Sequence, residues 1–164
     1  MKKFIKRSNL ALERVIIMSS NSVKLHRVLR TTPEKLYKAF LDPDALVKWM
    51  PPNGITCKVY QLDPRVGGDF KMSFNTFGGG IIHTFGGKYH KLLPGQKIRY
   101  TSQFDDPNLP GEMQTTITLN KVSCGTELNI LQEGIPVAIP TEMCYLGWQE
   151  SLILLAKLVE VEIS

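Results

Sequence analysis

The sequence predicts an α+β fold, a curved antiparallel sheet wrapped around one long C-terminal helix. Three observations predict it. A short helical entry spans Pro33 to Trp49, an amphipathic stretch runs from Thr141 to Glu162, and everything between reads as β-strand broken by turn residues. A run of strands closed by a single helix buries the apolar stripe of that helix on one sheet face, and the space between the two layers is where a cavity would form.

The elements follow in order. Val23 to Arg30, VKLHRVLR, alternates as a half-exposed strand does. Thr31-Thr32-Pro33-Glu34 supplies a capping hydroxyl and an early proline, so a helix carrying Leu36, Tyr37, Ala39 and Phe40 comes next. Asp42-Pro43 breaks it and opens a second short helix with Leu46, Val47, Trp49 and Met50, which Pro51-Pro52 ends. Six further strands are expected at Ile55 to Asp63, Asp69 to Thr76, Ile81 to Leu93, Lys97 to Phe104, Glu112 to Val122 and Gly125 to Gln132, each bounded by turn residues as in consecutive hairpins.

Alternation assigns the faces. Met113, Thr115, Ile117 and Leu119 share one side of their strand, and the same test turns Phe70, Met72 and Phe74 inward, with Ile98, Tyr100, Ser102 and Phe104. Between His83 and Lys91 the alternation fails, and a bulge at Gly86-Gly87 is expected to reset the phase. On the last helix Tyr145, Trp148, Leu152, Leu155 and Val159 recur at spacings of three and four. Gly147 in its first half costs about 1 kcal/mol against alanine, which points to a close approach of the backbone to the sheet or to a ligand.

With 164 residues, 43% of them hydrophobic, the chain suits one domain over residues 21–164. A basic extension over residues 1–20, expected to be poorly ordered, precedes it. Lys2, Lys3, Lys6, Arg7 and Arg14 set against Glu13 account for most of the net charge of +5, so the body is nearly neutral and lacks the basic stripe of a nucleic-acid binder. Glu13 and Arg14 interrupt the first apolar stretch and no small-residue cleavage site follows, which argues against a signal peptide and leaves Met18 as a second candidate start. No stretch approaches the roughly 18 consecutive apolar residues of a membrane span. Cys57, Cys124 and Cys144 are odd in number, far apart and form no CxxC, which implies a reducing cytoplasm.

Four stretches carry a family resemblance: TPEKLYKAFLDPDALVKW ending at Trp49, DPRVGGDF from Asp63, GGKYHKLLPGQKIRYTSQF from Gly86, and GTELNILQEGIP from Gly125 continuing to LGWQESLILLAKL. In this order and spacing the chain resembles the START-like, helix-grip superfamily, in the branch of the activators of the heat-shock-protein-90 ATPase. The resemblance implies a seven-stranded antiparallel sheet gripping the C-terminal helix, two short helices closing one end, and an internal pocket. It does not imply one function, because relatives include co-chaperone domains, carriers of hydrophobic ligands, antibiotic-resistance proteins and polyketide cyclases.

The chemistry-bearing residues point mostly away from catalysis. His26, His83 and His90 do not have metal-ligand spacing, no GxSxG elbow or cysteine-protease signature occurs, and the glycine clusters match no phosphate-binding loop. Asp63, Arg65 and Asp69 read as a salt-linked hairpin. The expected function is binding of a small apolar or aromatic molecule, without cofactor, metal or covalent chemistry. The expected contacts are Trp49, Phe70, Met72, Phe74, Tyr100, Phe104, Met113, Ile117, Tyr145 and Trp148. The alternatives are a co-chaperone-like protein-interaction module, or a cyclase- or hydrolase-type enzyme drawing on Tyr100, Ser102, Thr115, His83 or Tyr89.

Overall fold

A computed structural model describes residues 21–160. The extension expected over residues 1–20 and the helical continuation expected to Glu162 lie outside the described residues. The elements are β1 (Val23–Leu29), α1 (Pro33–Leu41), α2 (Pro43–Trp49), β2 (Ile55–Leu62), β3 (Asp69–Thr76), β4 (Ile81–Leu93), β5 (Lys97–Phe104), β6 (Met113–Val122), β7 (Gly125–Glu133) and α3 (Thr141–Val159). The seven strands form one antiparallel sheet in the order β1-β7-β6-β5-β4-β3-β2. The fold is therefore α+β helix-grip, as the sequence predicts.

The two short helices are closed off locally. Thr32 Oγ1 accepts from the Lys35 amide at 3.2 Å to cap α1, and Asp42 Oδ1 accepts from the Asp44 amide at 2.9 Å to cap α2. Each helix then begins with a proline, whose missing amide hydrogen is one that no intrahelical acceptor needs. Trp49 is fully buried at the end of α2, where its Nε1 donates to Ala39 O at 2.8 Å and its ring meets Phe40 edge-on at 4.8 Å.

Strand register sorts the concave face into rows. Leu25, Ile130, Ile117, Ile98 and Leu92 lie across from one another on successive strands. The first four share a buried cluster with Leu152, Leu155 and Val159 of α3 and with Leu36 and Phe40 of α1, and Leu92, partly buried, packs against it. The next row toward the β3–β4 turn is Val23, Gln132, Thr115, Tyr100 and Tyr89.

One local expectation is corrected. Gly86 and Gly87 pair regularly with Gln103 and Ser102, and the register shifts instead at His90, between Tyr89 and Lys91, and at Ile82, between Ile81 and His83. Gly87 is required for closeness rather than for a bulge: a Cβ there would stand 1.7 Å from Thr101 O and 2.9 Å from Phe70 Cζ. The expected charge cluster also divides, since Arg65 pairs with Asp63 at 2.7 Å while Asp69 pairs with Lys88 at 3.0 Å. Among the described residues no helix is long and apolar enough to cross a membrane.

Candidate functional site: a cavity between the sheet and the last helix

Below the N-terminal half of α3 the sheet interior is not filled. A cavity of about 380 Å³ lies between β3–β6 and that half-helix, within the size range of small-molecule sites. Phe70, Met72 and Phe74 reach it from β3 and Phe85 and Tyr89 from β4, while β5 presents Tyr100, Ser102 and Phe104. Met143, Cys144, Gly147 and Trp148 of α3 face them, and Ile135 and Ile139 of the β7–α3 loop close one side. Ile82 and Met143 line the cavity and are also exposed, which puts them at its mouth.

The wall is aromatic and self-supporting. Phe70 meets Tyr89 at 5.3 Å and Tyr100 at 5.4 Å between ring centroids, Phe74 meets Phe85 at 5.0 Å, and Phe85 meets Phe104 at 6.2 Å, all tilted or edge-on. Such pairs hold each other's rotamers without a partner on the opposite side. The roof is correspondingly thin. A Cβ on Gly147 would meet nothing within 4 Å, so this glycine faces open space and makes no close approach to the sheet; it borders the cavity instead.

One polar tie crosses between the layers. Gln132 Nε2 donates to Thr115 Oγ1 at 3.2 Å, and Gln132 Oε1 accepts from Trp148 Nε1 at 3.0 Å and from Cys144 Sγ at 3.1 Å. Ser151 Oγ lies 2.6 Å from Met50 O and 2.9 Å from Gly147 O, which fastens α3 to the end of α2. Burial pushes the Cys144 thiol up to about 11. It pushes the Tyr100 hydroxyl up to about 12, against a smaller opposing effect of its hydrogen bond with Thr115. Tyr89 is raised further still, by burial and then by Tyr100. These groups stay protonated and neutral at physiological pH.

Among the described lining residues none is Asp, Glu, Lys or Arg. His83 lines the cavity beside Phe104, at 5.2 Å between rings, and its Nδ1 is buried without a partner. Among the described residues no cluster of three His, Cys, Asp or Glu side chains is placed to hold a metal. The arrangement can enclose an apolar body and offer it a few neutral hydrogen-bonding groups.

Of the ten residues the sequence singles out, seven border the cavity: Phe70, Met72, Phe74, Tyr100, Phe104, Met113 and Trp148. The other three stand elsewhere. Trp49 is sealed under α1 and Ile117 in the aliphatic row, while Tyr145 packs half-buried against the core. Phe85 was hidden by the misplaced bulge, although it alternates in phase with Tyr89 through Gly87. Ile135 and Ile139 lie in a loop, where no periodicity signals an inward side chain.

Residues 30–160 match the model of the family described as Activator of Hsp90 ATPase homolog 1-like protein. The chain is similar to protein CV1439 from Chromobacterium violaceum, at 59% identity over 87% of this chain and 99% of that one, with a TM-score of 0.85. Two more distant likenesses extend to the fold alone. A protein from Rhodobacter sphaeroides is 20% identical over 84% of this chain and 90% of its own, TM-score 0.73. An AHSA1-like protein from Aeromonas hydrophila is 16% identical over 83% and 90%, TM-score 0.68. A search of the curated proteins returned no match.

Proposed function

This chain belongs to the Activator of Hsp90 ATPase homolog 1-like family, and from that premise we propose that it binds a small apolar or aromatic molecule in the cavity under α3, in the cytoplasm and without covalent chemistry. The observation that carries the reading is the concave space of about 380 Å³ walled by aromatic rings and free of charged side chains among the described residues. Removing an aromatic ligand from water into such a wall contributes roughly 25 cal/mol per Å² of apolar surface covered. The absence of a charged acid–base pair from the described lining, together with a thiol held protonated, supports carriage over catalysis. Three free cysteines, one of them exposed, support a reducing compartment.

Native mass spectrometry of freshly purified protein should show a retained small molecule, and a hydrophobic fluorescent probe should bind at one site with micromolar affinity. Tyr100→Ala and Phe74→Ala should each weaken the probe by about tenfold or more, equivalent to about 1.4 kcal/mol. Gly147→Leu, which puts a side chain into the empty roof, should abolish binding while the protein stays folded. Probe binding that survives Gly147→Leu unchanged sinks the reading.

A second reading has its own observation. Phe77 at the β3–β4 turn is 92% exposed and Val137 in the β7–α3 loop 87%, with Met143 and Leu146 of α3 also exposed. Such side chains suit a protein interface of the co-chaperone kind. Phe77→Ser with Val137→Ser would then abolish association with a heat-shock-protein-90 chaperone, measured by calorimetry, and leave probe binding intact.

A further inference from the structure

Resting on the carrier reading, we infer that the ligand is uncharged and brings a hydrogen-bond acceptor, a carbonyl oxygen on an apolar ring system, which the Ser102 hydroxyl receives inside the cavity. Two independent observations lead there: the sign of the lining's charge and the balance of its hydrogens and lone pairs.

An ion taken out of water into this cavity would meet no opposite charge among the described lining residues. An unpaired buried charge costs several kcal/mol, more than the few neutral hydrogen bonds on offer return. The ligand is therefore neutral where it sits.

The polar groups then set which neutral ligand. Gln132 Oε1 already accepts two hydrogens, from Trp148 and Cys144. Thr115 Oγ1 accepts from Gln132, while Ser151 Oγ donates its hydrogen to the backbone carbonyls of Met50 and Gly147. The amide oxygen of Gln132 is thus consumed within the protein, whereas hydrogens remain to be given to a ligand. Gln132 keeps its second amide hydrogen. The His83 ring has Nδ1 sealed without an acceptor, and an orphaned lone pair is tolerated better than an orphaned N–H, so the ring carries its proton on Nε2, the nitrogen not sealed in.

Ser102 is the group of the lining left open to a ligand. It lies inward on β5 opposite Gly87, is 5% exposed, borders the cavity, and among the described residues no protein group is hydrogen-bonded to its side chain. The hydroxyl of a buried residue that opens onto a cavity without a protein partner is placed to receive a ligand atom. The opposite strand position, Gly87, has no side chain of its own, and Phe70 and Phe104 line the same cavity with apolar surface.

The test is a competition series on the full chain, displacing the fluorescent probe with 2-ethylnaphthalene, 2-acetylnaphthalene, 2-naphthol and 2-naphthoate. 2-Acetylnaphthalene should bind about fivefold or more tighter than its ethyl counterpart, as one net hydrogen bond supplies. In Ser102→Ala, checked for an unchanged thermal midpoint, that advantage should fall to within about twofold while 2-ethylnaphthalene binds as before. The infrared carbonyl stretch of bound 2-acetylnaphthalene should move to lower frequency in the wild-type protein and return in Ser102→Ala. Equal affinities for the acetyl and ethyl compounds, tightest binding by 2-naphthol or 2-naphthoate, or an acetyl advantage that survives Ser102→Ala would each overturn the inference. If 2-ethylnaphthalene itself fails to bind the folded protein, the carrier reading falls and takes the inference with it.

Discussion

One helix roofs two unlike interiors. Under the C-terminal half of α3, Leu152, Leu155 and Val159 join the row of Leu25, Ile130, Ile117 and Ile98 in a solid core, in which Ile117 and Leu155 have no accessible surface. Under the N-terminal half, Phe74, Phe85, Tyr100 and Phe104 point inward and yet remain half-exposed, because the space in front of them is open. Branched aliphatic side chains interdigitate across a gap; aromatic rings here pack edge-on along the wall and leave the middle empty. The difference is made from the helix side as much as from the sheet. Where the solid half has leucine, the hollow half has Gly147 and Cys144.

The largest expected effect comes from truncating one side chain in each half. Ile117→Ala should cost about 3 to 4 kcal/mol, since it leaves a hole in a core that cannot collapse, whereas Phe104→Ala should cost about 1 to 2 kcal/mol because its ring covers one side only. Guanidinium melts of the two variants measure the gap directly. Equal losses would mean that the cavity is packed in solution and that the comparison has no content.

The solid half was the more legible in the sequence, and the reason is physical. Alternation tells which face of a strand a residue occupies, and it placed Met113, Thr115, Ile117 and Leu119 together correctly. It does not tell how far along the strand the filling stops. Met113 borders the cavity and Ile117, four residues on, is walled in. Trp49 was out of reach for a related reason: an aromatic residue on an amphipathic helix looks the same in sequence whether it faces a ligand or, as here, Phe40 and the Ala39 carbonyl. The strands and turns were readable almost to the residue because prolines and glycines mark their ends, and the one misplaced bulge followed from taking Gly87 as a kink when it answers the close approach of Thr101 and Phe70.

Alkaline pH probes whether the hollow half is dry. Cys57, half-buried and packed against the core outside the cavity lining, and Cys144, in the lining, are both pushed up by burial to about 11 from 9.0. Each folded thiol therefore keeps its proton above the pH at which the unfolded chain releases it. Stability is unaffected below about pH 9 and declines as pH rises toward 11, with a slope of at most about 1.4 kcal/mol per pH unit for each thiol. In a Cys57→Ser/Cys124→Ser protein, thiolate absorbance should report Cys144 titrating well above the ordinary range. A midpoint near 9 would show that water fills the cavity freely and would narrow the contrast between the halves.

Cutting the tie between the layers should be milder. Gln132→Leu preserves bulk but leaves Trp148 Nε1, Cys144 Sγ and Thr115 Oγ1 without their partner, at a cost of about 1 to 3 kcal/mol. Hydrogen exchange should quicken in residues 141–150 and stay unchanged in residues 151–159, which the solid core holds. Uniform quickening along α3 would show that the helix is one cooperative unit and that the two halves differ in packing alone.

The smallest expected effect has the opposite sign. Gly147 is a helical residue facing open space, so an added methyl meets no atom within 4 Å and should displace nothing. Alanine is favoured over glycine in a helix interior by about 0.8 to 1 kcal/mol, through the backbone entropy that glycine loses on folding. Gly147→Ala should therefore stabilise the protein by about that amount, visible as a rise of a few degrees in the thermal midpoint. The same methyl narrows the roof and should weaken probe binding, so stability and affinity should move in opposite directions at one position. In the solid half no such trade exists, because Leu155 is already fully buried and any added volume meets side chains. A Gly147→Ala protein that is less stable than the parent would mean that the backbone at this position is pressed against something in solution, and the hollow half would then be smaller than the structure makes it.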